Sequence, residues 1–192
     1  MNTFYERRKK QFEIKRILRD FTPSIKKIII MQLTPEWIVG FVDGEGCFCV
    51  SIQNMSKMTY GKQVRLVFKV SQHKNSIQVL YALKSFFGIG IVKPQSKDSE
   101  ILEFTCSRFE HLQNIIIPFF EKNRLKTAKQ FDFFRFRRAS ILMARKDHLT
   151  IEGLNEIEKI RKQMTSSGIL HEFTETEMEA AFNPLNGFTK ND

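Results

Sequence analysis

The segment Leu33–Gly46 constrains this chain more than any other. Thr34 is a strong helix N-cap, Pro35 fits the first helical position, and Glu36 favours the positive end of the helix dipole. Leu33 and Ile38 occupy the two places of a hydrophobic staple, and the helix then runs to Gly44-Glu45-Gly46. Gly40 and Gly44 stand four apart, so they share one helical face with no side chain on it. Such a face admits a second helix at unusually close range, as small-xxx-small pairs do. Asp43 and Glu45 sit at the negative end of the helix dipole, an unfavourable placement by about 0.3–1 kcal/mol. A nearby divalent cation reverses that sign. An ordinary Asp-Gly turn after a core helix has the same letters, whereas a calcium loop does not fit two acids alone.

Two strand-like runs follow. Cys47, Cys49, Ser51 and Gln53 alternate with Phe48, Val50 and Ile52, and Arg65, Val67, Lys69 and Ser71 alternate with Val64, Leu66, Phe68 and Val70. Joined across Asn54–Lys62, they predict a hairpin with one apolar face and one mixed polar–basic face. A helix over Ser76–Phe87 ends at Gly88. A second hairpin pairs Ile89–Lys93 with Glu100–Cys106, setting Ile101, Glu103 and Thr105 against Leu102, Phe104 and Cys106. Helices over Arg108–Ile117, Arg124–Met143 and Thr150–Met164 complete the order, the last with a core stripe of Leu154, Ile157, Ile160 and Met164. This is an α+β domain whose two hairpins can join into one sheet.

Charge narrows the partner. The 192 residues carry 31 Lys+Arg against 21 Asp+Glu, a formal charge of +10. Residues 1–31 hold nine basic and three acidic side chains, whereas 171–192 hold Lys190 against Glu172, Glu175, Glu177, Glu179 and Asp192. A basic body suits a polyanion, although a merely soluble basic protein shows the same balance. No uncharged apolar stretch of ~18 residues is present, so a membrane-spanning helix is excluded and no membrane partner is expected. Cys47, Cys49 and Cys106 cannot all pair and none stands in Cys-x-x-Cys, which argues against a disulfide scaffold or thiolate zinc site and fits a reducing compartment. The expected organisation is a basic N-terminal extension (1–31), one domain (32–170) and an acidic tail (171–192). Glu6, Glu13 and Asp20 count against reading the extension as a transit peptide.

The run Ile38-Val39-Gly40-Phe41-Val42-Asp43-Gly44-Glu45-Gly46 resembles the signature of the LAGLIDADG homing endonucleases. The likeness extends from about residue 34 to 165 in the order αββαββα. It includes Phe68–Gln72 at the end of the first hairpin, the basic stretch Arg124–Lys129 and the late helix start Lys146–Leu154. It implies the homing-endonuclease fold, with a saddle-shaped antiparallel sheet. In that resemblance Gly40, Phe41, Asp43 and Gly44 lie where two motif helices pack, and Glu45, with Gly44 beside it, binds the catalytic metal. Glutamate replaces the family's aspartate here, which keeps the carboxylate and lengthens its reach. One copy of the motif is present, so the resemblance implies a homodimer.

The implied activity is site-specific double-strand cleavage of a long pseudo-palindromic DNA target by metal-dependent phosphodiester hydrolysis, leaving 3′ overhangs. Paired carboxylates repel, so Mg²⁺ (or Mn²⁺) is expected between them and the phosphates. Gln72 matches a position that orders water, and Lys129 a basic residue near the scissile phosphate. Lys126 is its runner-up, because the alignment can slip by three. Phosphate anchoring for the lysines, and a strand-end hydrogen bond for Gln72, are the plainer alternatives. A two-stranded ribbon fits the major groove. The expected readers are Cys47, Cys49, Ser51, Gln53, Arg65, Val67, Lys69 and Ser71 from the first hairpin, with Lys93, Gln95, Ile101, Glu103 and Thr105 from the second. The two cysteines are read as apolar contacts rather than metal ligands, and Glu103 as able to accept from a cytosine amine.

Between Glu121 and Lys146 nine basic residues face Glu121 and Asp132, a set that positions a duplex rather than reading it. Phe131, Phe133, Phe134 and Phe136 are expected to pack rather than to stack on bases. The partners are double-stranded DNA and a second copy of the chain. An RNA-binding maturase acting on intron RNA is the alternative, and a DNA-binding module without cleavage is a third reading, disfavoured by Glu45, Gln72 and Lys129. The family's frequent home in organellar introns, with this chain's richness in Ile, Phe and Lys, points to a chloroplast or mitochondrion.

Overall fold

The Thr34 hydroxyl accepts from Trp37 N–H at 3.3 Å and caps helix α1 (Pro35–Glu45). This is a computed structural model that describes residues 33–57 and 60–165. The expected N-terminal extension and acidic tail lie outside the described residues. After α1 come strands β1 (Gly46–Asn54) and β2 (Lys62–His73), helix α2 (Ile77–Phe87), and strands β3 (Ile91–Pro94) and β4 (Ile101–Cys106). Gly88, in left-handed backbone at φ +69°, ends α2. Helix α3 (Phe109–His111), a π turn (Leu112–Ile116), α4 (Ile117–Lys122), α5 (Lys129–Ala144) and α6 (Ile151–Thr165) complete the fold.

The strands form one antiparallel sheet in the order β1-β2-β4-β3, joining the two hairpins as the alternation predicts. Its register decides which side chains share a face. Phe48 lies opposite Phe68, and Phe68 opposite Cys106, so these rows point into the core. The neighbouring row runs Cys47, Lys69, Thr105, Ile91 across all four strands and faces away from it.

The helices fill one side of the sheet. Ile38 and Val42 of α1, Leu80 and Leu83 of α2, Phe120 of α4, Phe136 of α5 and Ile157 of α6 are fully buried. Phe48 sits at the centre, with the rings of Phe68, Phe120, Phe133 and Phe136 at centroid distances of 5.1, 5.4, 5.4 and 5.4 Å. Each such pair contributes about 0.5–1.5 kcal/mol beyond its buried area. Phe131, Phe133 and Phe136 are buried, and Phe134 packs at the core's edge.

Two helix boundaries differ from expectation. The helix expected to end near Ile117 continues to Lys122, through Pro118. Proline offers no N–H and crowds the carbonyl four residues back, here Asn114. That residue lies in the wide π turn, which accommodates the proline without breaking the helix. The helix expected from Arg124 begins instead at Lys129, because the backbone at 126–127 is committed to Asp43.

Candidate active site

The α1–β1 junction gathers the chemistry. Gly46 N–H closes α1 on the Val42 carbonyl, and a Cβ at Gly46 would lie 2.5 Å from Val42 Cγ1 and 2.8 Å from Val42 O. Glycine therefore lets the chain pass directly from helix to strand and leaves Glu45 exposed at the tip. Asp43 turns the other way. Its Oδ2 accepts from Lys126 N–H at 2.8 Å, and its Oδ1 from Thr127 N–H at 3.2 Å and from the Thr127 hydroxyl at 2.8 Å. Thr127 Oγ1 also accepts from Lys129 N–H at 3.3 Å, so one carboxylate on α1 fixes the start of α5.

That tie places Lys129. Its Nζ donates to the Gly46 carbonyl, one residue after Glu45. Lys126 reaches the junction through its backbone N–H, with its side chain exposed. Pairing of β1 with β2 ends at Gly46 opposite Val70, so Gln72, opposite Leu102 on β4, lies at the same end of the sheet. Thr127 was not singled out in the sequence, although an N-cap type of residue just before a helix is a signal for it.

Among the described residues, nothing packs over the two glycines of α1. Trp37, Gly40, Phe41 and Gly44 follow helical spacing, and a Cβ at Gly40 or Gly44 would meet nothing within 4 Å. Each helical glycine costs about 0.5–1 kcal/mol relative to alanine, a cost that no contact among the described residues explains. Trp37, 41% exposed, stacks on Phe41 at 4.8 Å with the rings 20° apart. Its spacing from Gly40 and Gly44 already places it on this face.

The sheet face away from the core carries the expected readers. Cys47, Cys49, Ser51 and Gln53 lie opposite Lys69, Val67, Arg65 and Gln63, while Lys69, Ser71 and Lys93 face Thr105, Glu103 and Glu103. Register adds Gln63, and Ile91 at 54% exposure, to this surface. Ile101 pairs with His73, and Gln95, just past β3, donates its N–H to the Ile101 carbonyl at 2.9 Å.

Glu103 is 8% exposed, its Oε1 taking Lys69 Nζ at 3.2 Å and the Ser71 hydroxyl at 3.3 Å. Burial pulls the Lys69 ammonium down, but this hydrogen bond and the Glu103 charge outweigh it and raise its pKa. Cys47 and Cys49 bring their Sγ atoms to 3.2 Å. Hydrogen bonding with Cys49 lowers the Cys47 thiol to about 6 against the opposing effect of burial, with Lys69 and Lys129 helping, and raises Cys49 in return.

Among the described residues no three His, Cys, Asp or Glu side chains converge as a metal site. What the junction offers is hard oxygen: the Glu45 carboxylate and the backbone carbonyls that a helix end leaves unpaired. That donor set suits Mg²⁺ or Mn²⁺ rather than a softer metal, with other ligands required to complete the sphere.

Residues 38–140, more than half of the chain, match the LAGLIDADG endonuclease family. The "Probable intron-encoded endonuclease Cox1-I1b" of Schizosaccharomyces pombe is 33% identical over 132 residues, covering 68% of this chain and 33% of that protein. The solved structure of the homing endonuclease I-TnaI is 43% identical with a TM-score of 0.67, over 79% of this chain and 99% of that one. I-SmaMI, bound to uncleaved DNA target in the presence of calcium ions, is 32% identical with a TM-score of 0.66, over 68% of this chain and 44% of that one. The chain spans 26% to 33% of the length of the first curated relatives it matches. A family match over more than half of its length, with relatives above 30% identity, shows that this chain belongs to the LAGLIDADG endonuclease family.

Proposed function

We propose that this chain is one half of a homodimeric, site-specific DNA endonuclease that cuts both strands of a pseudo-palindromic target. The observation that carries this reading is the junction itself: an exposed Glu45 followed by Gly46, whose carbonyl seats the Lys129 ammonium. Glu45 holds the divalent cation, Mg²⁺ or Mn²⁺, with the Gly44 carbonyl as a further oxygen donor. When bound, that ion supplies Lewis-acid stabilisation of the charge on the phosphate oxygens. Lys129 offsets negative charge developing at the scissile phosphate. Gln72 hydrogen-bonds the attacking water through its amide, and Lys126 anchors a neighbouring phosphate.

Dimerisation through Gly40, Phe41, Gly44 and Trp37 brings two Glu45 tips to the two-fold axis, with Asp43 bracing each helix end from behind. One carboxylate per chain makes an incomplete cation site, and a second copy supplies the other. The near-complete coverage of the I-TnaI chain, against under half of the I-SmaMI chain, supports one chain as a half-unit. Duplex DNA lies on the sheet face, read by Ser51, Gln53, Arg65 and Lys69 and by Lys93 and Gln95 of the second hairpin. The same reading makes the protein intron-encoded and organellar, as the fungal relatives named for their introns suggest.

Glu45→Gln tests it. The amide keeps the shape and removes the charge, so cleavage should fall by at least about 10²–10³ while specific binding persists. Wild-type cleavage by the variant, or loss of specific binding together with cleavage, would overturn the assignment.

A further inference from the structure

Cys47 and Cys49 leave β1 on the same face, since side chains two apart on a strand point alike. Their sulfurs stand 3.2 Å apart, both residues half-buried on the sheet face opposite the core. Lys69 and Val67 lie across from them on β2. Cys106 is separate: 1% exposed, it belongs to the core face. No third His, Cys, Asp or Glu joins the pair as a metal site among the described residues. Two thiols in contact on an accessible face, without a third ligand, are suited to two-electron oxidation.

We propose that Cys47 and Cys49 close into a reversible intrastrand disulfide when a hydroperoxide reaches this face, and that closure weakens DNA binding. In the first step one sulfur attacks the peroxide, the O–O bond breaks, and the thiol proton leaves with the departing oxygen as alcohol or water. The sulfur is left as a sulfenic acid. The second thiol displaces its hydroxyl, the S–S bond forms, and a second water departs. Two thiols have then lost two electrons to one peroxide, with no other reactant. Strand geometry sets the Cα atoms about 6.8 Å apart, the upper end of what a disulfide spans. Closure therefore draws the strand in and yields a bond that thiols readily reduce. The strand it draws on begins at Gly46, whose carbonyl seats Lys129, and it carries Ser51 and Gln53 on the same face.

The bond does not depend on the endonuclease reading, whereas its effect on DNA does, so the two are measured separately on the full chain. Hydrogen peroxide treatment, alkylation and peptide mass mapping should show the peptide holding Cys47 and Cys49 lighter by about 2 Da (two hydrogens lost as the disulfide forms). Cys106 should remain alkylatable after unfolding, and dithiothreitol should reverse the change. Affinity for duplex DNA should fall about tenfold or more on oxidation and recover with the thiol. In Cys49→Ser, peroxide should leave a trappable sulfenic acid on Cys47 and no mass loss. A disulfide between two chains, no bond at all, a bond that leaves affinity unchanged, or wild-type reversible inhibition in Cys49→Ser would each overturn the proposal.

Discussion

Asp43→Ala is the sharpest test of how this site is built. Asp43 belongs to α1 by sequence but serves α5, accepting from two backbone N–H groups and one hydroxyl of residues 83 and 84 positions away. Hydrogen bonds to a charged acceptor contribute roughly 1.5–3 kcal/mol each when shielded. Here Lys126 and Thr127 are exposed, so water replaces much of what alanine removes. The loss then resembles that of a helix cap, about 1–2 kcal/mol in all. At a urea slope of about 2 kcal/mol/M, the unfolding midpoint should drop by roughly 0.5–1 M. Asn, which keeps one acceptor oxygen, should lose about half as much.

The same substitution should slow chemistry, because the Thr127 hydroxyl then holds Lys129 N–H without its own anchor. Losing the order of about 1.4 kcal/mol at the transition state is a tenfold rate effect. Single-turnover cleavage at saturating protein reads that directly, and sedimentation checks that the dimer persists. An unchanged midpoint with wild-type cleavage would show that Asp43 braces nothing and that Lys129 is placed some other way.

Gly40→Leu should leave the folded chain as stable or more so, since leucine is the better helix former and a Cβ meets nothing there. It should abolish the dimer in sedimentation, and a persisting dimer refutes the open face as the interface. Arg65→Ala should relax preference at one position of each half-site by about 1–3 kcal/mol, and an unaltered specificity profile removes it from the readers. Gly153→Ala should lower the melting temperature by several degrees, because its Cβ would lie 2.0 Å from Asp147 O and 2.4 Å from its carbonyl carbon. Overpacking of this kind costs about 1–3 kcal/mol or more, and calorimetry at the wild-type temperature would contradict it.

Local patterns carried most of the fold. Alternation sorted Phe48, Val50, Val64, Leu66, Phe68 and Val70 to the core and Cys47, Ser51, Arg65 and Lys69 to the other face, because strand parity needs no tertiary information. The same parity already contained Gln63 and Ile91, and helical spacing already contained Trp37. The start of α5 was not legible in this way. Arg124-Leu125-Lys126 reads as helix, and the Lys126 N–H is instead held by a carboxylate 83 residues earlier. For the site, the resemblance named Glu45, Gln72 and Lys129. The structure contributes the seat of Lys129 on the Gly46 carbonyl, beside Glu45, and the tie of Thr127 to Asp43, contacts in space that no spacing in the chain encodes.

Helix α1 carries three roles on one short element. Eleven residues present three surfaces that serve different ends. Ile38, Val39 and Val42 bury one side against the sheet. Gly40 and Gly44 leave a second side where a Cβ meets none of the described residues, and where a closely packed copy would refuse one. The C-terminal end divides its two acids, with Asp43 turned inward to fix the loop before α5 and Glu45 left exposed. A rotation of about 100° per residue separates these roles, so inserting or deleting one residue before Asp43 turns the core and glycine faces by that angle relative to the two acids. If the acids stay seated, Ile38 and Val42 turn toward the glycine face; if the core stripe stays seated, Asp43 leaves the loop before α5, so in either case the proposed dimer face and cation end cannot both form. A chain with such an insertion that still dimerised and cleaved would show that the three surfaces are not coupled through helical phase.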